Sequence, residues 1–165
     1  MKPLFLLVSV LFIFSCNQQP TEKKDTNPTL NTMTAQHIFV GTYTKKEGHV
    51  NGKAKGIYRL TLPQQPADDT TAKWTLADFE SINPSFLTIS PNKKYLYAVN
   101  ELNPTDGDAG TVSAFRIDSI TKDLHFLNQQ STHNYAPCHV TVDATNRLAF
   151  VSNYVGGVVC VYVSD

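Results

Sequence analysis

The chain has 165 residues with 14 basic and 14 acidic side chains, a net charge of zero, and 41% hydrophobic residues that include seven Tyr, nine Phe and one Trp. The lack of a basic excess excludes nucleic acid as a partner, whereas the apolar and aromatic content is enough for an ordered core. Its three cysteines form no Cys-x-x-Cys pair, which excludes a zinc ribbon.

In chain order, residues 1–15 carry one lysine and then an apolar run over residues 4–14. The run is too short to span a bilayer as a permanent helix and has the form of a secretory signal. Its end, Ile13, Phe14, Ser15 and Cys16, resembles a bacterial lipobox, where the signal is cut before a cysteine that is then acylated. This reading predicts a lipid anchor on Cys16 as the only membrane attachment, and a cell-envelope location facing the periplasm or at the outer membrane. An ordinary secretory signal with Cys16 incidental is the alternative. Residues 16–36 are rich in Gln, Pro, Thr, Asn and Lys, with little to bury, and read as a disordered tether.

The folded part is expected over residues 37–165. HIFVGTY (37–43), GIYRLTL (56–62) and WTLADFES (74–81) are β-rich runs separated by polar connections. They are followed by NPSFLTISPNKKYLYAVNE (83–101), TVSAFRI (111–117) and LHFLNQQS (124–131), then by APCHVTVDATNRLAFVSNY (136–154). The first and last of these later stretches are one pattern written twice. Without a gap, Pro84 falls on Pro137, Leu87 on Val140, Tyr97 on Phe150 and Asn100 on Asn153, and the turns SPNKK and DATNR coincide. HIFVGTY matches the second half of the same unit, with Tyr43 at the position of Glu101.

Each half-unit is strand, polar turn, strand, and two further strands follow. Four short antiparallel strands repeated about every 50 residues describe the blade of a β-propeller. The fold class is therefore all-β, with blades over about residues 37–82, 83–135 and 136–165, the last incomplete. Apolar residues at helical spacing are lacking beyond the N-terminus.

Two loops separate strands, a lysine-bearing one over residues 45–55 and an acidic one over residues 103–110. Asp106 and Asp108 stand two apart, but the spaced ligands and bidentate Glu of a calcium loop are missing, so no metal is expected. Cys138 and Cys160 fall on the first and third strands of one blade with a strand between them, which disfavours a disulfide, and read as small buried apolar groups.

Candidate site residues lie where the repeats differ in chemical type. Phe86 in one copy is His139 in the next, and Glu101 in one is Tyr43 and Tyr154 in the others. Inner strands of a propeller line its channel and their ends gather at one mouth, so groups from different blades can converge on one ligand. An imidazole and a carboxylate are suited to proton transfer near neutral pH. A hydrogen-bonded structural histidine and a solvated strand-end charge are the competing readings of His139 and Glu101. His37, His49, His125 and His133 read as surface or structural residues.

The stretches NPSFLTISPNKKYLYAVNE, GTVSAFRID, LHFLNQQST and APCHVTVDATNRLAFVSNYVGGVVCVY, with the opening HIFVGTYT and the GIYRLTL strand, resemble the lactonase family of seven-bladed propellers. That family includes propeller-type 6-phosphogluconolactonases and fungal carboxymuconate lactonising enzymes. The resemblance covers about residues 37–163. It implies a hydrolase without metal or other cofactor that opens a sugar lactone, typically 6-phosphoglucono-1,5-lactone, by attack of water on the ring carbonyl. It implies His139 as an acid/base or substrate-binding group, and Glu101, Asn153 and Tyr154 as contacts at the channel mouth, beside the catalytic pairing of His139 with Glu101 that the residue types suggest. Of the three arginines, Arg59, Arg116 and Arg147, none makes a convincing phosphate site.

Seven blades need about 350 residues, so this chain is expected to be part of a propeller, inactive by itself. A lipoprotein would not meet a cytosolic phosphorylated lactone, so a non-phosphorylated lactone fits an envelope location better. A cell-envelope propeller that binds or scaffolds without catalysis is the alternative, since fold alone does not fix function.

Overall fold

The computed structural model describes residues 35–48, 50–62, 72–107 and 109–164. The signal and tether expected over residues 1–36, apart from its last two residues, and with it Cys16, lies outside the described residues, as do His49 and Asp108.

Among the described residues ten strands form three antiparallel sheets: β1 (Gln36–Val40), β2 (Tyr58–Leu62) and β3 (Lys73–Leu76); β4 (Pro84–Ile89), β5 (Tyr95–Asn100), β6 (Thr111–Ile117) and β7 (Leu124–Ser131); and β8 (Pro137–Val142), β9 (Leu148–Asn153) and β10 (Val158–Val163). In each sheet the strands lie side by side in chain order. The fold is thus all-β, three meanders built as partial propeller blades. The first sheet begins at the second strand of the repeat, and the middle one has all four.

The repeat is written in the backbone as well as in the sequence. The β4–β5 and β8–β9 turns place Lys93 (φ 60°) and Asn146 (φ 61°) in the left-handed region at the same position. Lys93 N–H donates to Ser90 O at 2.8 Å, and Asn146 N–H to Asp143 O at 3.0 Å. At the entry to each inner strand, Asn83 (φ 42°) and Ala136 (φ 50°) are also left-handed. Their carbonyls accept from Glu101 N–H at 3.0 Å and Tyr154 N–H at 2.9 Å. The pairing register slips between Pro84 and Phe86 and again between Pro137 and His139, because proline cannot donate to the ladder.

The core lies between sheets. From the middle sheet, Leu96, Ala98, Phe115 and Leu124 pack with Ile57 and half-buried Phe39 and Phe79 of the first sheet region. On its other face Tyr97, Val99 and Val112 pack with Val140 and Val151 of the third. This explains why YLYAVN does not alternate apolar with polar: β5 is buried on both faces. The WTLADFES run ends as a strand at Leu76 rather than Ser81. Ala77 N–H still reaches Ile57 O at 2.9 Å, after which Phe79 stacks on Phe126 with ring centroids 3.7 Å apart and planes 5° from parallel. Aromatic packing between sheets thus overrides continuation of the ladder.

β9 lies between β8 and β10, and Cys138 and Cys160 are both free thiols. They are not the buried pair expected. Cys138 is exposed on β8, its thiol facing Ser152 O at 3.6 Å, and half-buried Cys160 donates its thiol to Thr132 O at 3.1 Å.

Candidate active site at the strand ends

Tyr43, Glu101 and Tyr154 occupy one position of the repeat, just past its second strand, which is β1, β5 and β9 in turn. The geometry brings the first two together. The Tyr43 phenol donates to Glu101 Oε2 at 2.8 Å, across 58 residues of chain. Burial, this hydrogen bond and the neighbouring carboxylate charge push the phenol up to about 12, so it remains a donor at neutral pH.

The loop carrying Tyr43 is held by one buried asparagine. Asn83 Oδ1 accepts from Thr44 N–H at 2.9 Å, Lys45 N–H at 3.2 Å and the Thr44 hydroxyl at 3.3 Å. Its amide N–H groups donate to Glu101 O at 3.1 Å and to Glu47 Oε1. Glu47 is 4% exposed, and its other oxygen accepts from the Asn103 amide at 2.7 Å. A carboxylate so buried is stable only with its lone pairs engaged, and here two amides engage them. Ala136 stands where the next repeat would need Asn83, so the arrangement belongs to the junction of the first two sheets alone.

His139 lies on β8, exposed, with its ring 4.5 Å from that of Phe86 on β4 and tilted 46° to it. The two repeat-equivalent positions are therefore neighbours across adjacent inner strands. His139 sits two residues in from Pro137, about 7 Å along the strand from the end that carries Tyr154. Among the described residues no hydrogen bond joins it to Glu101. Tyr154 is 81% exposed, with its N–H on Ala136 O.

Asn153 departs from expectation. It is 2% exposed and lies inside the third sheet, its amide N–H facing Val158 O at 3.5 Å and Cys160 Sγ at 3.6 Å. Its repeat mate Asn100 explains the placement. Asn100 donates to Ser81 Oγ at 2.8 Å and Ile82 O at 2.7 Å, and accepts from Ser113 at 2.7 Å and from Thr111 and Gln129, each at 3.1 Å. Asn100 ties strands together from within, whereas the Asn153 Oδ1 is buried without a partner among the described residues, and Asn153 presents no amide to a ligand at the mouth.

Among the described residues no three His, Cys, Asp or Glu side chains stand close enough to share a metal ion. Arg59 is committed to Asp123 Oδ1 at 2.9 Å and to Thr121 O. Clefts of about 350 and 520 Å³ open between neighbouring sheets, but neither is lined by Glu101, His139 or Tyr154. Tyr43, Asn83, Glu47 and Asn103 were not predicted as site residues. The signal for two of them was present, in Tyr43 sharing the repeat position of Glu101 and in Asn83 differing from Ala136.

Comparison with known proteins gives this geometry a family. The sequence profile described as Lactonase, 7-bladed beta-propeller matches residues 37–165. A 6-phosphogluconolactonase of Bacillus subtilis is 33% identical over 130 residues, 79% of this chain and 34% of the relative. The crystal structure of a candidate 6-phosphogluconolactonase from Bacteroides fragilis superposes with a TM-score of 0.61 at 31% identity, over 83% of this chain and 34% of that one. A periplasmic gluconolactonase of Pseudomonas aeruginosa superposes with a TM-score of 0.56 at 26% identity, over 73% of this chain and 31% of that one. The chain thus spans about a third of the length of these relatives. With the profile covering all of its strands from His37 onward and the sheets built to one repeat, the chain belongs to the lactonase family of seven-bladed β-propellers.

Proposed function

We propose that this chain supplies part of the active site of a lactone hydrolase acting on a sugar lactone, with His139 and Glu101 as its proton-transfer groups. Opening a lactone requires a base to take a proton from the attacking water, a donor for the carbonyl oxygen as it becomes an oxyanion, and a proton for the departing ring oxygen. In this reading His139 takes the proton from water, Glu101 holds or relays a proton at Oε1, and Tyr154 offers a hydroxyl to the sugar. Asn153 acts from inside the sheet by fixing the strand end that carries Tyr154. The observation that carries the reading is the Tyr43–Glu101 pair, a carboxylate held in one orientation at a strand end of a lactonase-family fold.

We further propose an exported protein anchored by an acyl chain on Cys16 and a non-phosphorylated lactone as substrate. The apolar run ending in Ser15 and Cys16 supports the first. The likeness to a periplasmic gluconolactonase supports export and a non-phosphorylated substrate, and the pairing of Arg59 with Asp123 supports the latter. The test is hydrolysis of glucono-1,5-lactone and of its 6-phosphate by the protein carrying this chain, with and without His139→Gln. Turnover that falls about a hundredfold in the variant supports the acid/base role. Unchanged turnover leaves His139 structural, and tight lactone binding without hydrolysis by the parent protein would favour a binding module.

A further inference from the structure

We propose that Tyr43 is a positioning residue, whose hydroxyl fixes the Glu101 carboxylate by one oxygen so that the other is presented to substrate. The inference rests on the reading of Glu101 as a group that acts on substrate. Tyr43 and Glu101 come from different sheets, and the phenol reaches Oε2 at 2.8 Å. Among the described residues no donor reaches Oε1. Both partners are anchored by their backbones. Glu101 N–H and O both bond to Asn83, at 3.0 and 3.1 Å. Around Tyr43, the Thr42 hydroxyl donates to Gly56 O at 2.6 Å, Ala54 N–H donates to Tyr43 O at 3.3 Å, and Thr44 is held by Asn83.

The contrast with Tyr154 separates positioning from folding. Tyr154 stands at the same repeat position, makes the same backbone bond to the left-handed residue before its inner strand, and leaves its side chain 81% exposed. The backbone bond at this strand end therefore forms with either side chain at the position, so it does not depend on the Tyr43–Glu101 bond. What the bond changes is the freedom of the carboxylate, whose immobilisation before substrate arrives is entropy already spent. The phenol keeps its proton at neutral pH, so the restraint is always in place.

The test is a double-mutant cycle on the full-length protein with Tyr43→Phe, Glu101→Gln and the pair, assayed on glucono-1,5-lactone. A positioning role predicts that Tyr43→Phe lowers kcat about tenfold with KM within about twofold, leaves Tm unchanged, and has no further effect once Glu101 is Gln. A full effect in the Glu101→Gln background, an unchanged kcat, or a Tm lowered to the assay temperature would overturn it. Should the parent protein hydrolyse no lactone, the proposed function fails by itself. The positioning claim is then decided by the 13C resonance of the Glu101 carboxyl, assigned through its loss in Glu101→Gln. A shift of that resonance in Tyr43→Phe at constant pH upholds the restraint, and an unmoved resonance refutes it.

Discussion

Asp143 shows how a single side chain stabilises the repeat without being buried. It accepts from the Thr145 hydroxyl, from Leu148 N–H and Arg147 N–H at 2.7 Å each, and from Thr145 N–H at 3.0 Å. These bonds, the Thr145 hydroxyl foremost, hold the carboxyl down to about 2. Because the folded group binds its proton less readily than the unfolded one, its stabilisation is present above about pH 4 and is lost as pH falls towards about 2. The stability difference between the parent and Asp143→Ala, measured by urea unfolding across this range, should be constant above pH 4 and shrink below it. A difference independent of pH would mean that the charge contributes nothing to the turn. Ser90 takes the same place in the other turn, with its hydroxyl facing Asn92 Oδ1 at 2.7 Å and donated to by Tyr95 N–H at 3.0 Å. The two turns share a conformation but not a chemistry.

Between elements, what matters is how closely neighbouring sheets approach. The end of β1 passes the entry to β4 so tightly that a Cβ on Gly41 would lie 2.0 Å from Pro84 O. That atom is backbone and cannot swing aside, so the sheets must separate to admit a methyl group. Gly41→Ala should therefore cost about 1–3 kcal/mol, read as a lowered melting temperature. An unchanged melting temperature would mean that the first two sheets slide freely past each other. The aromatic ladder of Phe79, Phe126 and Phe115, with Phe115–Phe126 centroids at 5.8 Å, spans the same junction further out. Strand positions and the turns were legible in the sequence because period-2 patterning and polar turn residues are local signals. The early stop of β3 was not, because it depends on where Phe126, far along the chain, places its ring.

On the scale of the whole molecule, the ladders end at open edges. β1, β3, β4, β7, β8 and β10 each pair on one side only among the described residues. Val159, Val161 and Val163 of β10 are 60%, 55% and 71% exposed, along with Leu127 of β7 and Ile38 of β1. Unpaired edges beside apolar faces recruit further strands. Residues 37–165 expressed alone should therefore self-associate at micromolar concentration, as sedimentation would show by a mass above that of the monomer. A stable, non-associating monomer would mean that the open faces are satisfied within the arc.

The sequence by itself determined the repeat, its strands and turns, the family likeness and the two positions, Phe86/His139 and Tyr43/Glu101/Tyr154, where equal places carry unequal chemistry. Those are properties of local pattern and of alignment of the chain with itself. Only the tertiary structure decided which of these residues meet. It placed Tyr43 on Glu101, brought Phe86 beside His139, buried Asn153 within its sheet, and gathered Glu47 and Asn103 around Asn83. Side-chain partners from different sheets are fixed by how the sheets pack, and no spacing along the chain encodes the 58 residues between Tyr43 and Glu101 as a hydrogen bond.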